Sequence, residues 1–81
     1  MPTVATLPNG ARIIVRGRDH LPAHVHAEWR MEAAIVVIAT GDLYAGTMTG
    51  HVLATVRAYI AENCPMLTDR FFAQNPQLPR P

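Results

Sequence analysis

The chain contains neither lysine nor serine, and it has one cysteine in 81 residues. Each shortage removes a class of chemistry. Without serine there is no hydroxyl nucleophile of the Ser-His-Asp type. Cys64 alone cannot close an internal disulfide, so the fold must stand without that staple. It reads as a small core residue or a free thiol at a helix junction rather than a nucleophile. Charged residues make up 16% of the chain, against about 25% in an average soluble domain. The net charge of +1 is too weak to argue for nucleic acid. The longest apolar run, Ala33 to Ala39, is far short of the ~20 residues that span a bilayer. Met1-Pro2-Thr3 lacks the basic start and apolar run of a secretory signal, so a reducing cytoplasm is the expected location and no membrane partner is expected. A small domain with so few surface charges is expected to meet a protein partner or to form a homodimer.

What the chain does have is a concentration of imidazole. Asp19-His20-Leu21-Pro22-Ala23-His24-Val25-His26-Ala27 holds three of the four histidines together with one carboxylate. From residue 24 the pattern alternates, with His24, His26, Glu28 and Arg30 on one row and Val25, Ala27 and Trp29 on the other. In a strand these rows face opposite ways. Val25, Ala27 and Trp29 are therefore expected in a core, with His24, His26 and Glu28 on the more exposed face.

The expected fold is α+β. Met1 to Gly10 reads as an irregular or weakly extended lead-in ending in the Pro8-Asn9-Gly10 turn. Ala11 to Arg18 reads as a strand with Ile13 and Val15 on one side and Arg12, Ile14 and Arg16 on the other. Asp19 to Pro22 is a loop, Ala23 to Arg30 a second strand, Met31-Glu32 a reversal, and Ala33 to Thr40 a third strand, apolar on both faces. Gly41-Asp42 turns into Leu43 to Gly46. These segments predict a three- to four-stranded antiparallel meander. Val52, Leu53, Val56, Tyr59 and Ile60 recur at helical spacing and predict one main helix over 51–62, with Thr49 as N-cap and Asn63 as a left-handed terminator. Pro65 fits the first turn of a short second helix carrying Leu67, Phe71 and Phe72. The main helix covers one face of the sheet. Residues 1–74 form the expected single domain, and the proline-rich stretch 75–81 an extended tail.

His24 and His26 lie two apart on one strand face, where imidazoles can converge on one ion. Asp19 or His20, from the preceding loop, would supply the third ligand of a divalent metal. Without metal, the same rings offer acid–base chemistry oriented by Asp19, or they brace the loop around Pro22. Arg16 and Arg18 are candidate contacts for a phosphate or an acidic partner, since the guanidinium binds such groups bidentately. Tyr44 is a candidate proton donor. A helix-turn-helix over His51 to Gln74 is excluded as a DNA reader, because its second helix offers Arg70 beside Asp69 and two phenylalanines suited to a core.

Asp19-His20-x-Pro22-x-His24-x-His26-Ala27, followed by Thr40-Gly41-x-Leu43-x-x-Gly46 and one helix, resembles the small bacterial proteins grouped as domain of unknown function 4160. The likeness runs from about Ile13 to Phe72. This chain departs from the usual pattern in having Ala23 where a second proline is common and Val25 where an aromatic is common. The resemblance implies a short α+β domain, often encoded beside a small DNA-binding or antitoxin-like partner, and it supplies no established activity. The function expected is an interaction module that binds a macromolecular partner, in a toxin–antitoxin-like or regulatory setting. The alternatives are a His-based hydrolase or nuclease, with or without metal, and a phage-type inhibitor of a host defence complex.

Overall fold

Five short strands follow one another along the first half of the chain, and each pairs with its sequence neighbour. They are β1 (Thr3–Thr6), β2 (Arg12–Ile14), β3 (His24–Trp29), β4 (Glu32–Val37) and β5 (Leu43–Thr47). The sheet order is β1-β2-β3-β4-β5, antiparallel throughout, so the meander has one strand more than the sequence pattern predicts. Two helices follow, α1 (Gly50–Glu62) and α2 (Cys64–Gln74). The computed structural model describes residues 3–80. Met1 and Pro2 of the expected lead-in and Pro81 of the expected tail lie outside the described residues.

The additional strand is the lead-in itself. Thr3 to Thr6 pair with Arg12 to Ile14 across the Pro8-Asn9-Gly10 turn. Gly10 closes that turn with φ +92°, a left-handed conformation that glycine adopts without a Cβ penalty. Asn9 fastens it from three sides. Its Oδ1 accepts from the Ala11 N–H, its Nδ2 donates to Thr55 Oγ1 of α1, and its carbonyl accepts from Trp29 Nε1 at 2.8 Å.

One face of the sheet carries the core. Ile13, Val15, Val25, Ala27, Ala34, Val36 and Ile38 are buried there under Val52, Val56 and Ile60 of α1 and Leu67 and Phe71 of α2. Those helix positions recur every fourth residue, which sets them on one stripe. Arg12, Ile14, His24, His26, Glu28, Ala33, Ile35, Val37 and Ala45 belong to the other face by register. The β3 alternation therefore assigns the rows correctly. Trp29 is half-buried rather than buried, because it ends its strand at the margin of the core, with the Arg30 guanidinium 4.4 Å over its ring.

Helix α1 begins at the expected Thr49, but the Thr49 side chain does not cap it. Instead the Glu32 carboxylate accepts from the Thr49 N–H at 2.7 Å and from the Thr49 hydroxyl at 2.9 and 3.0 Å. Those bonds, with weaker help from Arg30 and His51, hold the Glu32 carboxyl below its ordinary value against the opposing pull of burial. Asn63 is not left-handed: its φ is −123°. It ends α1 by donating from its side chain and its backbone to the Tyr59 carbonyl, and α2 begins directly after it with Pro65 in the first turn.

The boundary expected at residue 74 cuts off a core residue. Asn75 is fully buried. Gln77 Nε2 donates to the Asp19 carbonyl, and Arg80 pairs with Asp69, so the proline-rich stretch lies back along the domain as far as residue 80.

Candidate functional site

The segment between β2 and β3 folds over the first residue of β3. Arg18 turns the chain with φ +56°, and the Leu21–Pro22 peptide bond is cis. This turn brings Asp19 back onto the histidine row. Asp19 Oδ2 stands 2.9 Å from His24 Nε2 and 2.9 Å from His26 Nε2. The three donor atoms lie within 4.8 Å of one another.

The expectation that His24 would be exposed is overturned. Its side chain is 1% exposed, against 17% for His26. Strand alternation fixes direction correctly, but the Asp19–Pro22 loop covers that direction, and the Phe71 ring packs 5.3 Å from the His24 ring. His24 Nδ1 donates to the Pro22 carbonyl at 2.7 Å. A carbonyl oxygen only accepts, so the proton on this nitrogen is assigned.

Asp19 is held as firmly as the rings. Its Oδ1 accepts from the His20 N–H at 3.0 Å, and its own N–H donates to Asn75 Oδ1 at 2.6 Å. Burial pushes its pKa up. The bond from His26, the His20 N–H, and the charge and hydrogen bond of His24 together outweigh burial and hold it below its usual value. Asn75 completes the clasp by donating from Nδ2 to the carbonyls of Arg16 and Phe71, each at 2.8 Å. Nothing in the sequence pattern marks Asn75. The one local hint is a bare asparagine after a helix ending in Ala73-Gln74.

The other candidates divide. His20 stays on the rim, 57% exposed, with Nδ1 on the Leu21 carbonyl and Nε2 3.6 Å from Asp19 Oδ1. Between the two loop partners expected for the histidine pair, the geometry brings in Asp19. Tyr44 lies beside the cluster, its ring 5.8 Å from His20 and 6.4 Å from His24. His51 is elsewhere, edge-on to Trp29 at 6.2 Å. Cys64 sits half-buried at the helix junction near the Ile38 carbonyl. The strand expected over Ala11 to Arg18 ends at Ile14, so Arg16 lies beyond it and Arg18 lies in the turn. Arg12 and Arg16 both pair with Glu28, Arg16 at 3.3 Å.

A groove of about 350 Å³ opens next to His26 on the helix-free face, with Ala33, Ile35 and Ala45 as its floor and Arg16 and Glu28 on its walls. Chemically the arrangement offers two imidazoles on one fixed carboxylate, beside a shallow cleft with a guanidinium at its edge. Among the described residues no helix is long and apolar enough to cross a membrane. Residues 10–71 match the family described as Domain of unknown function (DUF4160). No curated protein and no solved structure matches the chain.

Proposed function

The chain belongs to this family, whose description names no activity, and from that premise we propose that it is a small cytoplasmic interaction module whose partner is a protein. The observation that carries the reading is β5. All five of its residues are exposed, it forms one edge of the sheet, and it holds neither a charge nor a proline. Edge strands of stable monomers are ordinarily guarded by such residues, because a row of free N–H and C=O groups pairs with other chains. Leu43 and Tyr44 add apolar surface at 42% and 52% exposure. An extended segment of the partner adding to β5 would satisfy both the backbone and the apolar groups.

The setting that accords with the family resemblance is a toxin–antitoxin-like or regulatory pair. A phage-type inhibitor of a host complex would use the same edge. The test is co-purification from the native host of wild-type protein and of Ala45→Lys, which places a charge on the edge. The wild type is expected to bring down one stoichiometric partner, and the variant, still folded, to lose it. Equal recovery by both forms refutes the edge as the contact. A partner-free wild type that dimerises would assign the edge to a second copy.

A His-based hydrolase or nuclease is the second reading. It is favoured by the groove that joins His26 to Arg16, where an imidazole and a guanidinium could address one phosphate. Cleavage of single-stranded RNA that is abolished by His26→Gln would support it.

A further inference from the structure

We propose that Asp19, His24 and His26 form a binding site for one divalent transition metal of the zinc class, with a coordination position left for water or for a donor from a bound molecule. The site stands independently of the partner reading, since it uses the Asp19–Pro22 loop and the start of β3 rather than the β5 edge.

Distances come first. Two ligands held about 2.0–2.2 Å from one ion, at angles between square and tetrahedral, stand roughly 2.8–3.6 Å apart. Each Nε2–Oδ2 separation here is 2.9 Å, and the three ligand atoms lie within 4.8 Å of one another, so an ion shared by all three draws the two imidazole nitrogens closer together. A shared proton gives the same distance, so proton accounting must separate the two cases. His24 has its Nδ1 proton committed to the Pro22 carbonyl. In the neutral ring, Nε2 then turns a lone pair toward a carboxylate oxygen. His26 Nε2 is aimed at that same oxygen. Without a metal, the contact requires a further proton between His24 Nε2 and Asp19 Oδ2, where the two side chains are 1% and 13% exposed. A divalent ion takes the His24 lone pair and the carboxylate charge and, with the His26 proton on Nδ1, the His26 lone pair as well.

The outer contacts have the form that metal sites use. A ligating histidine normally donates its other N–H to a carbonyl or carboxylate, which fixes its tautomer, and a ligating carboxylate is itself hydrogen-bonded. His24 meets the first condition through Pro22, and Asp19 meets the second through the His20 N–H. Two imidazoles and one carboxylate form a borderline donor set. That set suits zinc and its neighbours, whereas magnesium and calcium take oxygen ligands.

The experiment is a titration of the intact chain with Zn²⁺ alone, read by calorimetry and by the side-chain nitrogen resonances of the four histidines. Binding of one ion per chain is expected, with the Nε2 signals of His24 and His26 moving and those of His20 and His51 holding. An equal titration with Mg²⁺ is expected to leave all four in place. His26→Gln and Asp19→Asn are each expected to weaken Zn²⁺ binding by at least about 10- to 100-fold, the loss typical of removing even an outer contact. His51→Gln is expected to bind as the wild type does. The histidine signals of the wild type give an answer even if a site variant fails to fold. Absence of one-to-one binding, movement of His20 and His51 instead, equal movement with Mg²⁺, or undiminished affinity in folded His26→Gln and Asp19→Asn would each overturn the site.

Discussion

Replacing Asn75 with alanine tests whether the Asp19 loop is held by a single buried side chain. Asn75 is fully buried and makes three short bonds: Asp19 N–H to its Oδ1, and its Nδ2 to the carbonyls of Arg16 and Phe71. Alanine removes both groups and leaves one donor and two acceptors without their partner. Each buried polar group left unsatisfied costs about 1–3 kcal/mol. Arg16 and Asp19 lie where the loop meets solvent, so water re-satisfies part of the loss and the lower end applies to each. The sum is about 3 kcal/mol. A domain of this length has a total stability of roughly 4–12 kcal/mol at the usual per-residue average. At about 4–8 °C per kcal/mol for a domain this small, Tm should fall by more than about 10 °C. Urea unfolding followed by Trp29 fluorescence measures the difference directly. Gln77→Ala is the control, since its bonds to Asp19 and Asn75 are long, 3.4 and 3.3 Å. It should cost less than about 0.5 kcal/mol. A loss below about 1 kcal/mol for Asn75→Ala would refute the reasoning, since that is the cost of a single net hydrogen bond.

Two further outcomes follow from other positions. Gly46 sits at φ +79° in β5, and a Cβ there would collide with the Ala33 carbonyl across the ladder. Gly46→Ala should therefore destabilise by at least about 1–3 kcal/mol, and an unchanged urea midpoint would contradict this. Glu32, held below its ordinary carboxyl value of 4.5 by the Thr49 bonds, contributes stability that is fully present above its unfolded value and is lost as pH falls through the folded one. Thermal melts of the wild type should therefore fall more steeply below pH 4.5 than melts of Glu32→Gln. Parallel curves would dismiss the cap.

Much of this fold is legible because it is local. The alternation from His24 to Trp29 gives the right rows, and Val52, Val56 and Ile60 give the right helical stripe. Both signals come from backbone periods of two and 3.6, which need no knowledge of the partner. What the pattern does not carry is which distant segment covers a row. His24 lies on the side assigned to it yet is buried, because a loop five residues earlier returns across it. β1 is only Thr3–Thr6, too short for its alternation to stand out between prolines, and it becomes a strand through its pairing with β2. Thr49 marks the start of α1 correctly, but the group that caps it is Glu32, 17 positions away.

The candidate site shows the same division. Spacing alone places His24 and His26 together and names Asp19 or His20 as the third member. The choice between those two depends on how the chain turns at Arg18 and where Asn75 anchors it. An interaction across 56 positions leaves no trace in any window of sequence short enough to show a period.

That separation also sets an order of assembly. Each strand of the meander pairs with the one just before it, so its hairpins can close as the chain emerges, and short-range closure of this kind is fast. The Asn75 clasp on Asp19 joins a loop made early to a residue synthesised after every strand and both helices. A chain clipped after residue 74 keeps every strand and both helices while its Asp19 N–H lacks the Asn75 acceptor. The placing of Asp19 against His24 and His26 is therefore completed only when the last residues of the chain are in position.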